Sequence, residues 1–379
     1  MPAPLESAKP VIWIHAVSVG ETLATRSIVS QLQIDWPQYQ ILITTMTPTG
    51  ADTARKIFDG RVSHRYIPYD LNWAVDSFIN IIKPHCLVIM ETEIWPNLIV
   101  SAAGKKIPVV FANARLSGKS RKRYRLARSL VRNVLNRAEM IATQTRADKD
   151  RFIELGVNQE KLTVMGNLKF DNVMMFGEKA NDFIEFSPRR PVWIAASTHP
   201  GEEEEILRAH KIVVQREPAA LLILVPRHPE RAMSLAKIIG RVGLTHQYKS
   251  RVKQPSDSVQ VFVVDTLGEL INYYACADIA FVGGSLVPVG GHNILEPAMM
   301  GKPVVIGPYY ENFQDIIQQY IRAEAITVVK SGKDLADTVV TWLANENLRN
   351  QIGLRGKAVI TENCGSTKYL MQILAPCLR

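Results

Sequence analysis

The sequence has no apolar run long enough to cross a membrane, and its cysteines follow no pattern. No hydrophobic stretch in the 379 residues approaches the roughly 18 to 20 residues that a spanning helix needs. The four cysteines are scattered, with neither metal-ligand spacing nor a paired framework, at Cys86, Cys276, Cys364 and Cys377. We therefore expect reduced thiols in a cytosolic compartment. The first ten residues are polar and contain proline, which is not typical of a signal peptide.

Positive charge is present in excess. The chain has 45 Lys and Arg residues against 36 Asp and Glu, a formal charge of +9, while 47% of its residues are hydrophobic. This composition is globular, and the length is typical of two domains. The charge predicts a surface that meets phosphate groups, nucleic acid or an anionic membrane.

Apolar, β-branched runs alternate with amphipathic stretches, which predicts βαβ units around parallel sheets. The fold class is α/β, with two doubly wound Rossmann-like domains facing across a cleft. We expect a first domain at 1–170, a linker at 171–190 and a second domain at 191–379, whose last helix has the option of packing on the first domain. The strands are predicted at Val11–Val17, Gln40–Met46, Arg65–Pro68, Cys86–Met90, Pro108–Ala112, Met140–Thr143, Leu162–Met165, Val192–Ala196, Leu221–Val225, Val259–Val264, Ile279–Val282, Pro303–Ile306 and Ala325–Val329.

Carboxylates follow two strands of the first domain. Glu21 comes after the first strand, at a predicted helix start. Its position suits a carboxylate that complements the helix dipole, and equally a general base that the dipole keeps ionised. Glu91 and Glu93 follow the fourth strand, where unpaired buried acids are uncommon. We expect a functional role for Glu91 and leave Glu93 open.

The first domain also contains a stretch that is rich in basic residues. The stretch from Arg115 to Arg137 has nine Lys or Arg residues and no acid, with Leu126, Leu130 and Val134 at helical spacing. This pattern predicts one basic amphipathic helix that docks on phosphates of lipid or nucleic acid. Lys169 lies at the end of the domain, where we expect it to contact an anionic reaction centre.

The second domain contains glycine-rich turns between its predicted strands and helices. Gly283–Ser285 and Gly290–Gly291 lie between buried strands, and Asn293 and Glu296 suit a helix cap behind them. Strand, glycine loop and helix start together predict a nucleotide site. Further turns at the same sheet edge carry Arg227, which suits a phosphate, and Asp265–Leu270, whose amides suit a base.

These segments resemble the 3-deoxy-D-manno-octulosonic acid (Kdo) transferases, glycosyltransferases of the two-domain GT-B architecture. The matching segments span nearly the whole chain: HAVSVGE (15–21), TTMTPTG (44–50), METEIWPN (90–97), ANARLS (112–117), GNLKFD (166–171), STHPGEE (197–203), VPRHPER (225–231), DTLGEL (265–270) and FVGGSLVPVGGHNILEPA (281–298).

The resemblance implies inverting transfer of Kdo from CMP-Kdo to the lipid A precursor (lipid IVA) in lipopolysaccharide core synthesis. It implies Glu21 as the general base, with Glu91 and Lys169 assisting at the transition state. It also implies CMP contacts, without a cofactor or a metal, at Pro226, Arg227, Leu267, Gly268, Glu269, Asn293, Ile294, Leu295 and Glu296.

The family usually carries an apolar N-terminal membrane anchor, whereas this sequence starts almost directly at its first strand. We expect peripheral attachment to the cytoplasmic face of the inner membrane, with the basic stretch on an anionic surface and no nucleic-acid partner. Two alternatives stay open: a nucleotide-sugar epimerase of the same architecture, and a non-catalytic protein that docks on anions or membranes.

Overall fold

The computed structural model describes residues 9–177 and 190–378. The chain divides into two compact units, one formed by Met1–Asn172 together with Asn363–Arg379 and the other by Val173–Glu362. Each unit contains a seven-stranded sheet, and within each sheet the paired strands are parallel. The predicted α/β class is therefore confirmed.

The sheet of the first unit has the strand order β3-β2-β1-β4-β5-β6-β7. Its strands are β1 (Val11–His15), β2 (Gln40–Thr45), β3 (Ser63–Tyr66), β4 (Pro84–Met90), β5 (Val109–Ala114), β6 (Met140–Thr143) and β7 (Leu162–Val164). The helices that follow them are α1 (Val19–Asp35), α2 (Pro48–Phe58), α3 (Asn72–Ile82), α4 (Pro96–Gly104), α5 (Gly118–Leu126), α6 (Arg128–Leu135), α7 (Arg146–Glu154) and α8 (Leu168–Gly177).

The second unit repeats this arrangement with the order β10-β11-β9-β8-β12-β13-β14. Its strands are β8 (Val192–Thr198), β9 (Leu221–Pro226), β10 (His246–Tyr248), β11 (Val261–Val263), β12 (Ile279–Val282), β13 (Val304–Ile306) and β14 (Ile326–Val328). Its helices are α9 (Glu203–Arg216), α10 (Ala232–Val242), α11 (Leu270–Cys276), α12 (Leu295–Met299), α13 (Gln314–Arg322), α14 (Gly332–Leu343) and α15 (Glu346–Asn363). The last helix of the chain, α16 (Ser366–Leu374), belongs to the first unit.

Central strands form because both of their faces are covered. Every residue of β1 and of β12 is buried, as expected for parallel strands with helices on both sides. The strand order reverses between β1 and β4 in the first sheet and between β8 and β12 in the second. Ligands of such sheets bind outside the carboxyl ends of the strands at that switch point.

Three sequence expectations need correction. Strand β10 was missed because its three residues, His246–Tyr248, are too few and too polar to give an apolar run. The expected linker begins inside helix α8, which continues through Gly177, and residues 178–189 lie outside the described ranges. The structure assigns Asn363–Arg379 to the first unit, so the last helix packs on the first domain as the sequence analysis allowed, although the range 191–379 counted it with the second domain. There α16 packs beside α1, where Thr367 Oγ1 donates to Ser27 Oγ at 2.8 Å.

The basic stretch is two helices rather than the single one expected. Ala127 lies between α5 and α6 with a φ of −115°, so the predicted apolar stripe does not form. Val131 and Val134 are buried, while Leu126 and Leu130 are 92% and 55% exposed. Leu126 and Leu130 are thus exposed to solvent within a segment rich in arginine.

Two glycines in helices of the second unit differ in how closely other backbone approaches them. A Cβ at Gly353, in α15, would collide with the backbone carbonyl of Gly301, whereas a Cβ at Gly240, in α10, meets nothing within 4 Å. We predict that Gly353→Ala lowers the free energy of unfolding by about 1–3 kcal/mol, because backbone cannot yield as a side chain does. Gly240→Ala, the control, should raise it by roughly 0.5–1 kcal/mol. Urea unfolding measures both, and equal effects would contradict the close approach.

Candidate active site

Glu21 lies in the first turn of α1, the helix that follows β1, at the switch point of the first sheet. Ser18 caps helix α1, its Oγ accepting from the Glu21 amide at 3.3 Å and donating to Glu21 Oε1 at 2.8 Å. The Val17 amide donates to Oε2 at 2.8 Å. These bonds form a variant of the capping box, in which the carboxylate accepts from the amide before the cap residue, and they orient the carboxylate. Each oxygen accepts one bond and keeps a further lone pair with which to accept a proton.

The environment of Glu21 differs from that of an ordinary cap. Its side chain is only 6% exposed, and burial raises its pKa to about 7 despite the bonds from Ser18 and Val17, with Glu91 and Glu93 adding to the rise. Desolvation therefore has a larger effect on this pKa than the hydrogen bonds at the helix start, which favour the ionised form. A carboxylate with this pKa can take up a proton near neutral pH.

A second capped acid in the same unit shows the contrast. Asp148 in the first turn of α7 is also buried, and it also receives the hydroxyl of its cap, Thr145. However, Asp148 pairs with Arg151 at 3.1 Å and accepts the Leu116 amide at 2.9 Å. Asp148 is therefore a paired structural acid, whereas the charges that perturb Glu21 are those of other carboxylates.

Glu91 follows β4, the neighbour of β1. Its backbone is in the left-handed region at φ +52°, and its amide donates to the Ala112 carbonyl at 2.9 Å. Burial raises the pKa of Glu91, while the positive charges of Lys169 and Arg115 oppose that rise. The structure thus brings Glu21, Glu91 and Lys169 into one electrostatic group, although their catalytic roles stay predictions.

Glu93 and Trp95 are held beside this group. The Trp95 indole N–H donates to Glu93 Oε2 at 2.9 Å, and its ring packs edge-on against His15 with centroids 5.2 Å apart. His15 is fully buried, with Nδ1 2.9 Å from Thr44 Oγ1, and burial lowers its pKa to about 4. Glu93 therefore stabilises the loop after β4 through its hydrogen bond with Trp95.

A buried amide network that the sequence did not reveal supports Lys169. Asn113 Oδ1 accepts from the Leu168 amide at 3.2 Å, and Asn167 Oδ1 accepts from the Lys169 amide at 3.0 Å. Gln144 connects the two asparagines, donating to the Asn113 carbonyl and accepting from Asn167 Nδ2, each at 3.0 Å. These bonds fix the start of α8 against the ends of β5 and β6. Asn113 itself is fully buried and has a left-handed φ of +58°.

In the second unit, Glu202 joins the two loops of the switch point. Its Oε1 accepts from the amides of His199 at 2.8 Å and Gly284 at 2.6 Å, and its Oε2 accepts from Leu286 at 3.2 Å. Burial raises the pKa of Glu202, and these amides counteract that rise. The first glycine loop was expected to bind an external anion, but its amides already hold the protein's own carboxylate.

The neighbouring side chains at this switch point are histidines. His199 Nε2 and His292 Nε2 form a hydrogen bond of 2.8 Å, with ring planes 8° apart. Arg227 follows Pro226 at the end of β9, where its amide donates to the Thr198 carbonyl at 2.9 Å and its side chain is exposed. Arg227 lowers the pKa of both histidines, after burial and neighbouring histidines, which places its charge near them.

The remaining donor-site candidates lie in two turns. Asn293 Oδ1 accepts from the Leu295 amide at 3.2 Å, and Asn293 Nδ2 donates to Glu296 Oε1 at 3.0 Å. Ile294, rather than the expected Asn293, is the cap residue of the five-residue α12. Leu267 and Gly268 are exposed at the other turn, and Glu269 caps α11 while accepting the Thr266 hydroxyl. Their contacts with CMP stay predictions.

Comparison with known proteins gives the class of the molecule. Residues 1–172 match the family model described as 3-deoxy-D-manno-octulosonic-acid transferase (kdotransferase), and residues 190–359 match glycosyl transferases group 1. The crystal structure of a UDP-GlcNAc 2-epimerase from Neisseria meningitidis superposes with a TM-score of 0.67 at 14% identity, covering 97% of this chain and 100% of that one. That likeness concerns the fold alone. The protein is a glycosyltransferase with the two-sheet GT-B fold.

Full-length relatives narrow the class to one family. A 3-deoxy-D-manno-octulosonic acid transferase from Haemophilus influenzae is 39% identical over 371 residues, covering 97% of this chain and 87% of the relative. Another from Bordetella pertussis is 33% identical over 387 residues, covering 98% and 88%. The chain belongs to the Kdo transferase family, and its activity is Kdo transfer in lipopolysaccharide synthesis.

The raised pKa of Glu21 has a consequence for stability. Its pKa rises from 4.5 to about 7 on folding, so the folded state holds the proton more tightly. The stabilisation from the neutral acid is complete below pH 4.5 and is lost as pH rises through about 7. Glutamine does not titrate, so the variant lacks this pH dependence. We predict that the free energy of unfolding of Glu21→Gln, taken relative to wild type, is about 2–3 kcal/mol higher at pH 8 than at pH 5. Urea unfolding at both pH values checks this. A constant difference would contradict the assigned desolvation.

Proposed function

We propose that the chain transfers Kdo from CMP-Kdo to lipid IVA, with inversion at the anomeric carbon. An acceptor hydroxyl attacks that carbon as the bond to the CMP phosphate oxygen breaks. The hydroxyl proton passes to Glu21, and CMP leaves as a phosphate monoester. The observation that carries the proposal is the oriented carboxylate of Glu21, whose pKa of about 7 suits a general base at neutral pH.

Glu91 and Lys169 support the transition state in this proposal. Glycosyl transfer develops positive charge at the sugar ring, which the carboxylate of Glu91 would stabilise only while ionised. Lys169 and Arg115 favour that ionised form, because their charges lower the Glu91 pKa against burial. Lys169 thus acts through Glu91, held in position by the amide network of Asn113, Gln144 and Asn167.

The donor belongs to the second unit in this proposal. Arg227 carries a permanent charge on an exposed side chain and suits the CMP phosphate, which guanidinium groups recognise well. The turns at Leu267–Glu269 and Asn293–Glu296 offer amides and carboxylates to the nucleoside. Glu296 Oε1 is held by Asn293 and keeps acceptor capacity for ribose hydroxyls.

We also propose attachment to the cytoplasmic face of the inner membrane. Among the described residues, no helix is both long and apolar enough to span a bilayer. The exposed Leu126 and Leu130 stand among exposed cations, a combination that suits an anionic lipid surface. Tyr69 and Trp73, 80% and 72% exposed after β3, add the aromatic side chains that favour a membrane interface.

A transfer assay with purified protein tests the reaction. We expect CMP release only when CMP-Kdo and lipid IVA are both present, with mass spectrometry giving the number of Kdo residues added. Glu21→Gln should lower kcat by roughly 10²–10⁴-fold, the usual contribution of a general base. Wild-type kcat should rise with pH and then level off above the pKa that Glu21 has in the complex with its substrates, since the base must be ionised to accept a proton.

Asp148→Asn is the matched control for this assay. Both are buried acids in the first turn of a helix of the same unit that accept the hydroxyl of the cap residue, but Asp148 has an arginine partner. Asp148→Asn should lower stability and leave kcat per folded molecule near wild type. Full activity in Glu21→Gln would rule out the assigned base, and donor turnover without acceptor would favour an epimerase.

Membrane attachment is tested with vesicles. We predict that the double substitution Leu126→Ser and Leu130→Ser weakens binding to anionic phosphatidylglycerol vesicles roughly tenfold or more, since each leucine loses its apolar burial. Cosedimentation measures the bound fraction, and added salt should release wild type. Ile34→Ser, at a residue of α1 that is 72% exposed, serves as the control. Unchanged binding of the double variant would refute this docking surface.

A further inference from the structure

The histidine pair at the switch point of the second sheet has no role in the reaction described so far. His199 follows β8 and His292 follows β12, the two strands between which the sheet order reverses. Their Nε2 atoms are 2.8 Å apart, so one ring donates and the other accepts. Both side chains are half-buried, which leaves them within reach of a ligand. The pair therefore lies where doubly wound sheets bind ligands.

The surrounding loops fix the pair in place. The His199 amide is held by Glu202 Oε1, the same atom that accepts from Gly284. Gly284 has a φ of +65°, and a Cβ there would come within 2.9 Å of His292 Cδ2 and 3.4 Å of His199 Cδ2. Only glycine lets the loop approach the two rings so closely. The chain thus builds a rigid support for two imidazoles.

The charges around the pair are predominantly positive. Arg227 and His228 lie near both rings, and Arg231 and Glu203 lie near His199. Glu203 is engaged with Arg231 through two bonds of 3.0 and 2.9 Å, so its charge is compensated. The Glu202 carboxylate is held by backbone amides. An incoming anion would therefore meet the charge of Arg227 beside two imidazoles, while the acid next to His228, Glu230, lies in solvent with its Oε1 3.6 Å from His228 Nδ1.

We infer that His199 and His292 form a proton-linked site for the carboxylate of the sugar donor. The inference rests on the proposed donor, CMP-Kdo, which carries two anionic groups, a phosphate and a sugar carboxylate. The permanent charge of Arg227 suits the phosphate, which remains on CMP after transfer. A titrating pair suits the carboxylate, because the pair loses its charge when that group departs with the product.

Proton linkage follows from the electrostatics of the free protein. Burial, followed by the neighbouring histidines and Arg227, lowers the pKa of His199 and lowers that of His292 to about 4, so the unliganded pair is neutral at pH 7. A carboxylate beside the pair favours the protonated form and raises its pKa. Donor affinity is then highest at low pH and falls as pH rises through the pKa of the complex. The kcat dependence through Glu21 has the opposite sign.

Calorimetry without acceptor tests this site on the full chain. CMP-Kdo binding should take up protons, seen as a heat that depends on the ionisation enthalpy of the buffer, whereas CMP binding should take up few. His292→Gln and His199→Gln keep hydrogen-bonding capacity and remove the charge. At pH 6 each should weaken CMP-Kdo roughly ten- to a hundredfold, the loss typical of a hydrogen bond to a charged group, and leave CMP affinity unchanged.

His246→Gln provides the matched control, because His246 lies on β10, at the far edge of the same sheet. It should bind both nucleotides as wild type does. Equal loss of CMP and CMP-Kdo affinity in the His292 variant would assign the pair to the phosphate and overturn the inference. If neither glutamine variant folds, the wild-type measurement is sufficient, because binding of CMP-Kdo without proton uptake would overturn the inference. Absence of any CMP-Kdo binding would instead refute the proposed donor.

Discussion

The molecule depends on two buried glutamates that hold the switch-point loops of its two sheets. In each unit a Gly-Glu pair lies at the start of the first helix after the first strand, as Gly20–Glu21 in the first turn of α1 and as Gly201–Glu202 just before α9. Backbone amides reach each carboxylate, from Val17 in the first unit and from His199, Gly284 and Leu286 in the second. A buried carboxylate is costly unless it is hydrogen-bonded, so these loops have little freedom to rearrange.

The buried, hydrogen-bonded glutamate has different properties in the two units. Glu21 accepts one backbone amide and one hydroxyl, and other carboxylates lie nearby, so burial and repulsion raise its pKa to about 7. Glu202 accepts amides from two loops and joins neighbouring strands. The first arrangement leaves a carboxylate able to exchange a proton, whereas the second makes a structural link. The two carboxylates thus differ in the number and origin of their hydrogen-bond donors.

Much of the fold was predictable because buried parallel strands are continuous apolar runs, as VIWIH and IAFV illustrate. The missed β10, with the residues HQY, has no such signal. For the basic stretch, helical spacing selected Leu126 and Leu130 as the apolar face, yet the break at Ala127 leaves both exposed. A helix break without proline or glycine has no local sequence signature, so periodicity alone gave the wrong face.

The sequence by itself determined the alternation of strands and helices, the carboxylates that end two strands, and the glycine turns, since all follow from local pattern. The network of Asn113, Gln144 and Asn167, the bond between His199 and His292, and the use of glycine-loop amides by Glu202 depend on tertiary structure. Each joins residues far apart in the chain, and whether a polar group is buried, paired or left able to titrate is a property of its three-dimensional surroundings.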